Sequence, residues 1–223
     1  MSERVRPATG RARSRDGGKG TRRTDTSPSR RGTPERRAEL LAVAERMFYE
    51  KGYVETTLQD IADEMGFTKP AVYYYAKNKE EILVELYDQI VTAAIDSALE
   101  ISQRDESGAV RFVALAQHHL STFLEHIEAN AVFEVQRTSL SPDAKQKMQA
   151  LAREYNGILA GVYQQGIVDG SLTPMEPRIA INAVLGMCNT VHRWFNPRGG
   201  VPPEALIATI ISLISGGLVT TKD

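Results

Sequence analysis

Residues 56–83 read TTLQDIADEMGFTKPAVYYYAKNKEEIL, and their spacing decides the fold. Leu58, Ile61, Ala62 and Met65 fall at i, i+3, i+4 and i+7, one apolar stripe along a short helix. Thr56 or Thr57 supplies its N-cap, and Gly66 supplies a left-handed stop. Thr68 then caps a second helix from Lys69 to about Tyr75, with Pro70 in the first turn, where a missing N–H costs little. That helix carries a lysine and three consecutive tyrosines but no acidic residue. Two helices joined this tightly can present the start of the second to a DNA major groove.

Working upstream, Thr33-Pro34-Glu35 opens a helix whose apolar face is Leu40, Leu41, Ala44, Met47 and Phe48, and Gly52 ends it. Downstream, Asn78 caps a helix with Glu80 and Glu81 in its first turn, favourable to the helix dipole. Its stripe of Ile82, Leu83, Leu86, Ile90 and Ala94 continues to about Gln103.

This segment resembles the DNA-binding part of the TetR/AcrR family of transcriptional repressors. The resemblance is carried by Thr56-Thr57-Leu58, Ile61-Ala62, Gly66-Phe67-Thr68, Tyr73-Tyr74-Tyr75-Ala76 and Lys77-Asn78-Lys79-Glu80. Phe67 stands where the family usually has valine, and Ala76 where it usually has an aromatic residue. The resemblance implies that Lys69, Pro70 and Ala71 lie at base edges, lysine reaching guanine and the apolar pair a thymine methyl, and that Thr68 belongs to the same DNA-binding set. It implies that Arg36, Thr57, Tyr74, Tyr75 and Lys79 meet the phosphate backbone, while Tyr73 either joins them or packs inward. A tyrosine cluster that only fills an internal core is the alternative.

The net charge of −1 conceals a segregation. Residues 1–33 hold ten Arg or Lys against Glu3, Asp16 and Asp25, net +7, which leaves −8 on the rest. A basic Gly/Ser/Thr-rich stretch with almost no large apolar residue cannot bury enough surface to fold, so 1–32 is expected to be a disordered tail. It either adds phosphate contacts beside a DNA-binding domain or merely solubilises the chain. The single cysteine, Cys188, excludes an intrachain disulfide, and no apolar run reaches the length of a bilayer span. A cytoplasmic protein with no membrane contact is expected.

Beyond residue 103 helical spacing continues: 108–127, 130–140, 142–168, a helix from about 177 to Phe195, and a last one from Pro202-Pro203-Glu204 to Gly216-Gly217. No pair of strands with a hairpin turn is visible, so the expectation is an all-α chain of about nine helices. Its expected parts are the tail 1–32, a helix–turn–helix head 33–78 and a helical body 79–223. The last two helices are apolar on more faces than one protomer needs, through Ala183, Met187, Ile207, Ile210, Ile211 and Ile214 among others. They form either a fully buried core or an interface. Family members pair these two helices with their twins, and the resemblance therefore implies a homodimer through these residues.

Catalytic patterns are missing: no Gly-rich phosphate loop, nucleophile elbow or metalloprotease helix occurs. His118, His119 and His126 share a helix without an acidic or cysteine ligand at i+3 or i+4, so no metal and no cofactor are expected. The segment Thr190-Val191-His192-Arg193-Trp194-Phe195-Asn196-Pro197 resembles a TetR subgroup controlling fatty-acid and steroid degradation, several members of which bind acyl-coenzyme A. That implies a ligand pocket involving His119, Phe123, Asn189, Arg193 and Trp194, the arginine facing phosphate. An Arg-Trp pair stacked at a dimer edge is the structural alternative. The expected function is a ligand-responsive repressor released from a palindromic DNA operator by a small apolar effector, an acyl-CoA thioester on the subgroup resemblance. The competing class is a helical enzyme or carrier of a lipid thioester.

Overall fold

The computed structural model describes residues 33–220, which form nine α-helices. The expected disordered tail 1–32 lies outside the described residues, as do 221–223. The only β pairing among the described residues is one antiparallel bridge between Leu172 and Val219.

Helix α1 (Pro34–Glu50) starts where Thr33 accepts a hydrogen bond from the Arg36 N–H, and it buries Leu40, Leu41, Ala44 and Phe48. Gly52, at φ +103°, turns the chain back in a conformation that side-chain-bearing residues rarely adopt. Helix α2 (Leu58–Glu64) has a reciprocal cap: Thr57 Oγ1 accepts from the Asp60 N–H, and Asp60 accepts from the Thr57 N–H. Gly66, at φ +64°, ends that turn and leads to α3 (Lys69–Tyr73). Helix α3 is two residues shorter than the spacing predicts, because the chain tightens into a turn before Asn78 caps α4 (Lys79–Ser102).

The body consists of α5 (Gly108–Glu125), α6 (Ile127–Gln136), α7 (Pro142–Val168), α8 (Pro177–Asn189) and α9 (Pro203–Leu218). Helices α5 and α7 cross so closely that a Cβ on Gly108 would fall 2.2 Å from the Gly166 Cα. Asp169 and Ser171 fix this crossing by accepting from the Gly108 and Ala109 N–H groups.

Two hydrophobic cores result. The body core includes Phe112, Leu115, Leu120, Leu159, Tyr163, Val184 and Ile210. The other joins Phe48, Ile61, Val72, Ile82 and Leu83 to Phe133, Leu140, Ala144 and Met148 from α6, the α6–α7 turn and α7. Full burial of one such side chain stabilises by about 1.5–3 kcal/mol. Polar ties fix α1 and α7 on α4. Glu80 accepts from the Ser141 N–H at the α7 cap, Lys147 pairs with Asp88 at 3.0 Å, and Arg37 grips Glu85 with two donors.

Two expectations are corrected. Ile210 and Ile214, expected at a dimer seam, are 4% and 3% exposed within their own protomer. With Leu206 they form the inward i, i+4, i+8 stripe of α9, whereas Leu213, at 62%, points out. Periodicity identified an apolar helix but not which apolar face its own core takes. Ala183 and Met187 of α8 are exposed, and Ile207 and Ile211 are half-buried. The second correction is that α8 stops at Asn189 instead of reaching Phe195. Thr190 Oγ1 donates back to the Gly186 and Met187 carbonyls and His192 bonds to the Asn189 carbonyl, so the chain passes into a 3-10 turn over Val191–Arg193.

Candidate functional site

The first site is a shallow groove on the head. It brings Thr57, Lys69, Tyr73 and Lys79 together with Leu58, Gln59, Lys77 and Asn78, where the starts of α2 and α4 flank the start of α3. Val72 anchors α3 in the core, which leaves Thr68, Lys69 and Pro70 exposed and Ala71 half-buried. The Thr68 hydroxyl makes no cap hydrogen bond, and Lys69 leans over the Tyr73 ring at 5.8 Å. Tyr74 is 73% exposed, while half-buried Tyr75 stacks on Phe67. The Arg36 guanidinium lies over the Phe67 ring at 5.4 Å and pairs with Glu39 at 2.6 Å. The unusual Phe67 thus contacts both Arg36 and Tyr75, and the unusual Ala76 is simply buried.

Two expected phosphate contacts are already engaged elsewhere. The Lys79 ammonium donates to the carbonyls of Tyr53, Val54 and Thr56, which uses its three N–H groups, and it sits 4.5 Å from the Tyr53 ring centre. Burial, then the nearby Glu80, pushes the Tyr53 hydroxyl up to about 12. Thr57 spends both its hydroxyl and its N–H on the cap with Asp60. Asp60 is held down to about 2, first by Lys51 and then by the Thr57 N–H and hydroxyl. Lys77, outside the expected set, has an 87% exposed side chain with only a 3.9 Å contact to Glu81. Its place in the lysine-rich cap was visible in the sequence, but which lysine folds back was not.

The second site is a half-open cavity of about 690 Å³ lined by α4, α5, α6, α7 and α8. Its wall includes Tyr87, Val91, Phe123, Phe133, Leu140, Met148 and Leu185. The Tyr87 and Phe133 rings stack 3.6 Å apart and nearly parallel, and both pack with the core that holds the head. Exposed Arg137 and half-buried Lys145 also line it, and Arg137 meets Glu134, another lining residue, at 3.2 Å.

His119, Phe123 and Asn189 line this cavity. His119 links two neighbours: Nε2 to Asn189 Oδ1 at 2.8 Å and Nδ1 to the Tyr155 hydroxyl at 3.1 Å. An amide oxygen only accepts, so Nε2 carries the proton and Tyr155 donates to Nδ1. Burial pushes the His119 pKa down, with the bond to Asn189 opposing and His118 adding to the fall, which favours this neutral form. Tyr155 is raised by burial, and the buried Cys188 thiol is pushed up to about 12 for the same reason.

Arg193 and Trp194 do not line the cavity, which corrects the expected set. The chain leaves the α8 axis after Asn189, and Trp194 is 61% exposed. The cations at the cavity are Arg137 and Lys145, with Asn130 and Tyr155 as further polar wall residues. One signal was available: Asn130, only 6% exposed, sits in an apolar stretch of α6 where a polar residue needs a partner. Among the described residues no three metal-binding side chains converge, and no helix is long and apolar enough to cross a membrane.

A helix–turn–helix face joined by one helix to a helical body with a ligand-sized cavity defines a one-component DNA-binding regulator. Residues 40–86 match the family described as "Bacterial regulatory proteins, tetR family", and 105–218 match "Tetracyclin repressor-like, C-terminal domain". The chain belongs to the TetR family. It is a ligand-responsive transcriptional repressor that binds operator DNA and dimerises, and it is not an enzyme. It is 26% identical over 202 residues to the HTH-type transcriptional repressor KstR2 of Rhodococcus jostii (strain RHA1), covering 84% of this chain and 93% of that protein. A TetR/AcrR-family regulator from Thermobifida fusca YX-ER1 is 36% identical, with TM-score 0.70 over 82% of this chain and 98% of that one. AibR, solved with isovaleryl coenzyme A and operator DNA, shares the fold at 22% identity and TM-score 0.68, covering 80% of this chain and 97% of its own.

Proposed function

We propose that the effector is an acyl-coenzyme A thioester, the acyl group lying in the cavity and the phosphates meeting Arg137 and Lys145. The observation that carries this is the cavity itself, largely apolar along α4 and with two cations, Arg137 and Lys145, in its wall. Lys145 makes no ion pair among the described residues. The solved AibR complex and the subgroup resemblance support the same ligand class. Titration of thioesters against the operator-bound protein tests it. Release of DNA by the thioester, weakened in Arg137→Ala and Lys145→Ala with unliganded DNA affinity unchanged, is expected. A broad panel that leaves DNA bound would refute it.

Thr68, Lys69, Pro70 and Ala71 supply base contacts in this proposal, and Tyr73, Tyr74, Lys77 and Arg36 supply phosphate contacts. The operator is a palindrome whose half-sites match a dimer; residues 1–32 add basic charge, 33–78 form the DNA-binding head and 79–223 the body. The dimer forms through the outward faces of α8 and α9, with Ile179, Ala183, Met187 and Leu213 at its centre, all exposed in one protomer. The protein acts in the cytoplasm. Ligand that fits one spacing of the heads better than the other shifts the population to that spacing. Tyr87 and Phe133 carry the shift, since they bound the cavity and pack with the head core.

A further inference from the structure

We infer that the cavity selects an effector bearing an oxygen, a ketone or hydroxyl, within its apolar part, read by Asn189, Tyr155 and Asn130. This deepens the thioester proposal and rests on it for the part of the ligand outside the cavity. A cavity meant for a plain hydrocarbon chain needs no hydrogen-bonding groups on its wall. Here the wall keeps several with unused capacity. His119 fixes Asn189 by taking its Oδ1, which leaves the Asn189 amide nitrogen with two donors and no protein partner among the described residues. Tyr155 spends its proton on His119, and its oxygen still accepts. Asn130 donates from Nδ2 to the Phe123 carbonyl, and its Oδ1 has no partner among the described residues.

The orientation of these groups is set by the protein and not by a ligand. With Nε2 protonated and Nδ1 taken by the Tyr155 hydroxyl, His119 offers the Asn189 amide no acceptor, so Asn189 keeps its N–H groups for the cavity. Donors from Asn189 suit a carbonyl oxygen, and acceptors on Tyr155 and Asn130 suit a hydroxyl proton. A saturated chain would strip water from these groups and return nothing. A site built to hydrogen-bond rejects an analogue that lacks the partner atom much more strongly than one sized by apolar contact alone.

The test uses the full-length protein and calorimetry with matched pairs of equal carbon count: saturated chains against chains with one ketone or hydroxyl at successive carbons, plus an alicyclic ketone. Each is offered both as the free acid and as the coenzyme A thioester. At least one oxygenated member should bind about tenfold tighter or more than its saturated match. In Asn189→Leu that preference should collapse while saturated affinity is kept, and in Tyr155→Phe the preference for a hydroxyl should fall. Should either variant unfold, the wild-type preference decides alone. Saturated thioesters that bind and release DNA with no gain from any oxygen would overturn the inference and leave the thioester proposal standing. Oxygenated free acids that bind where no thioester does would support the inference and remove the thioester. No binding by any member overturns both.

Discussion

Lys79→Met keeps the apolar stem of the side chain and removes only its ammonium. The three carbonyls of residues 53, 54 and 56 then lose a shared charged donor, and the Tyr53 ring loses its cation. Hydrogen bonds to charged groups contribute about 1.5–3 kcal/mol each, but three on one half-buried ammonium are not additive and water replaces part, so the net loss is about 2 kcal/mol. For a chain of this size that lowers the melting midpoint by about 4–8 °C. Circular-dichroism melting reads it directly. Lys77→Met is the reference: it should melt like wild type and flatten the dependence of DNA affinity on salt by about one phosphate. If Lys79→Met melted normally and instead produced that flatter salt dependence, the ammonium would be a phosphate contact and its inward role wrong.

Leu213→Glu should give a folded monomer by light scattering, whereas Ile210→Glu should fail to fold, because only the second charge enters the protomer's own core; a persistent Leu213→Glu dimer would move the interface. Asp60 has a folded pKa near 2, below its ordinary value near 4. Its contribution is therefore complete above about pH 4 and lost as pH falls towards about 2. Asp60→Asn should remove that part of the acid dependence in a circular-dichroism titration and lower stability at neutral pH. Gly108→Ala should cost about 1–3 kcal/mol in denaturant unfolding, since its methyl meets the Gly166 backbone, which cannot swing aside as a flexible side chain would.

The all-α fold and the start of the reading helix were legible because they depend on local signals: the Thr57 and Asn78 caps, the Gly66 turn and Pro70 in the first turn each act within a few residues, although the Thr68 hydroxyl makes no cap bond. The site was legible in part. His119, Phe123 and Asn189 reached the cavity, since their own helices carry them there. Arg193 and Trp194 did not, because one threonine hydroxyl bonding backwards ended the helix early, and periodicity does not register that competition. Lys77 and Lys79 stand two apart in one lysine-rich cap, yet one faces solvent and the other folds under a turn 23 to 26 residues upstream. Only the tertiary fold distinguishes them. The inward turn of Ile210 and outward turn of Leu213 have the same cause.

The core that joins Phe48, Val72 and Leu83 to Phe133, Leu140 and Met148 limits how this repressor can be recombined. A chimera cut between residues 78 and 79 would hand a foreign head the partners evolved for this one. Its α1 would meet a mismatched α6, and the stacked rings at the cavity wall would face a surface of the wrong shape. A graft that keeps new DNA specificity under the old effector should therefore exchange only the exposed residues of α3. Swapping the whole head would demand compensating changes at 133, 140, 144 and 148 as well.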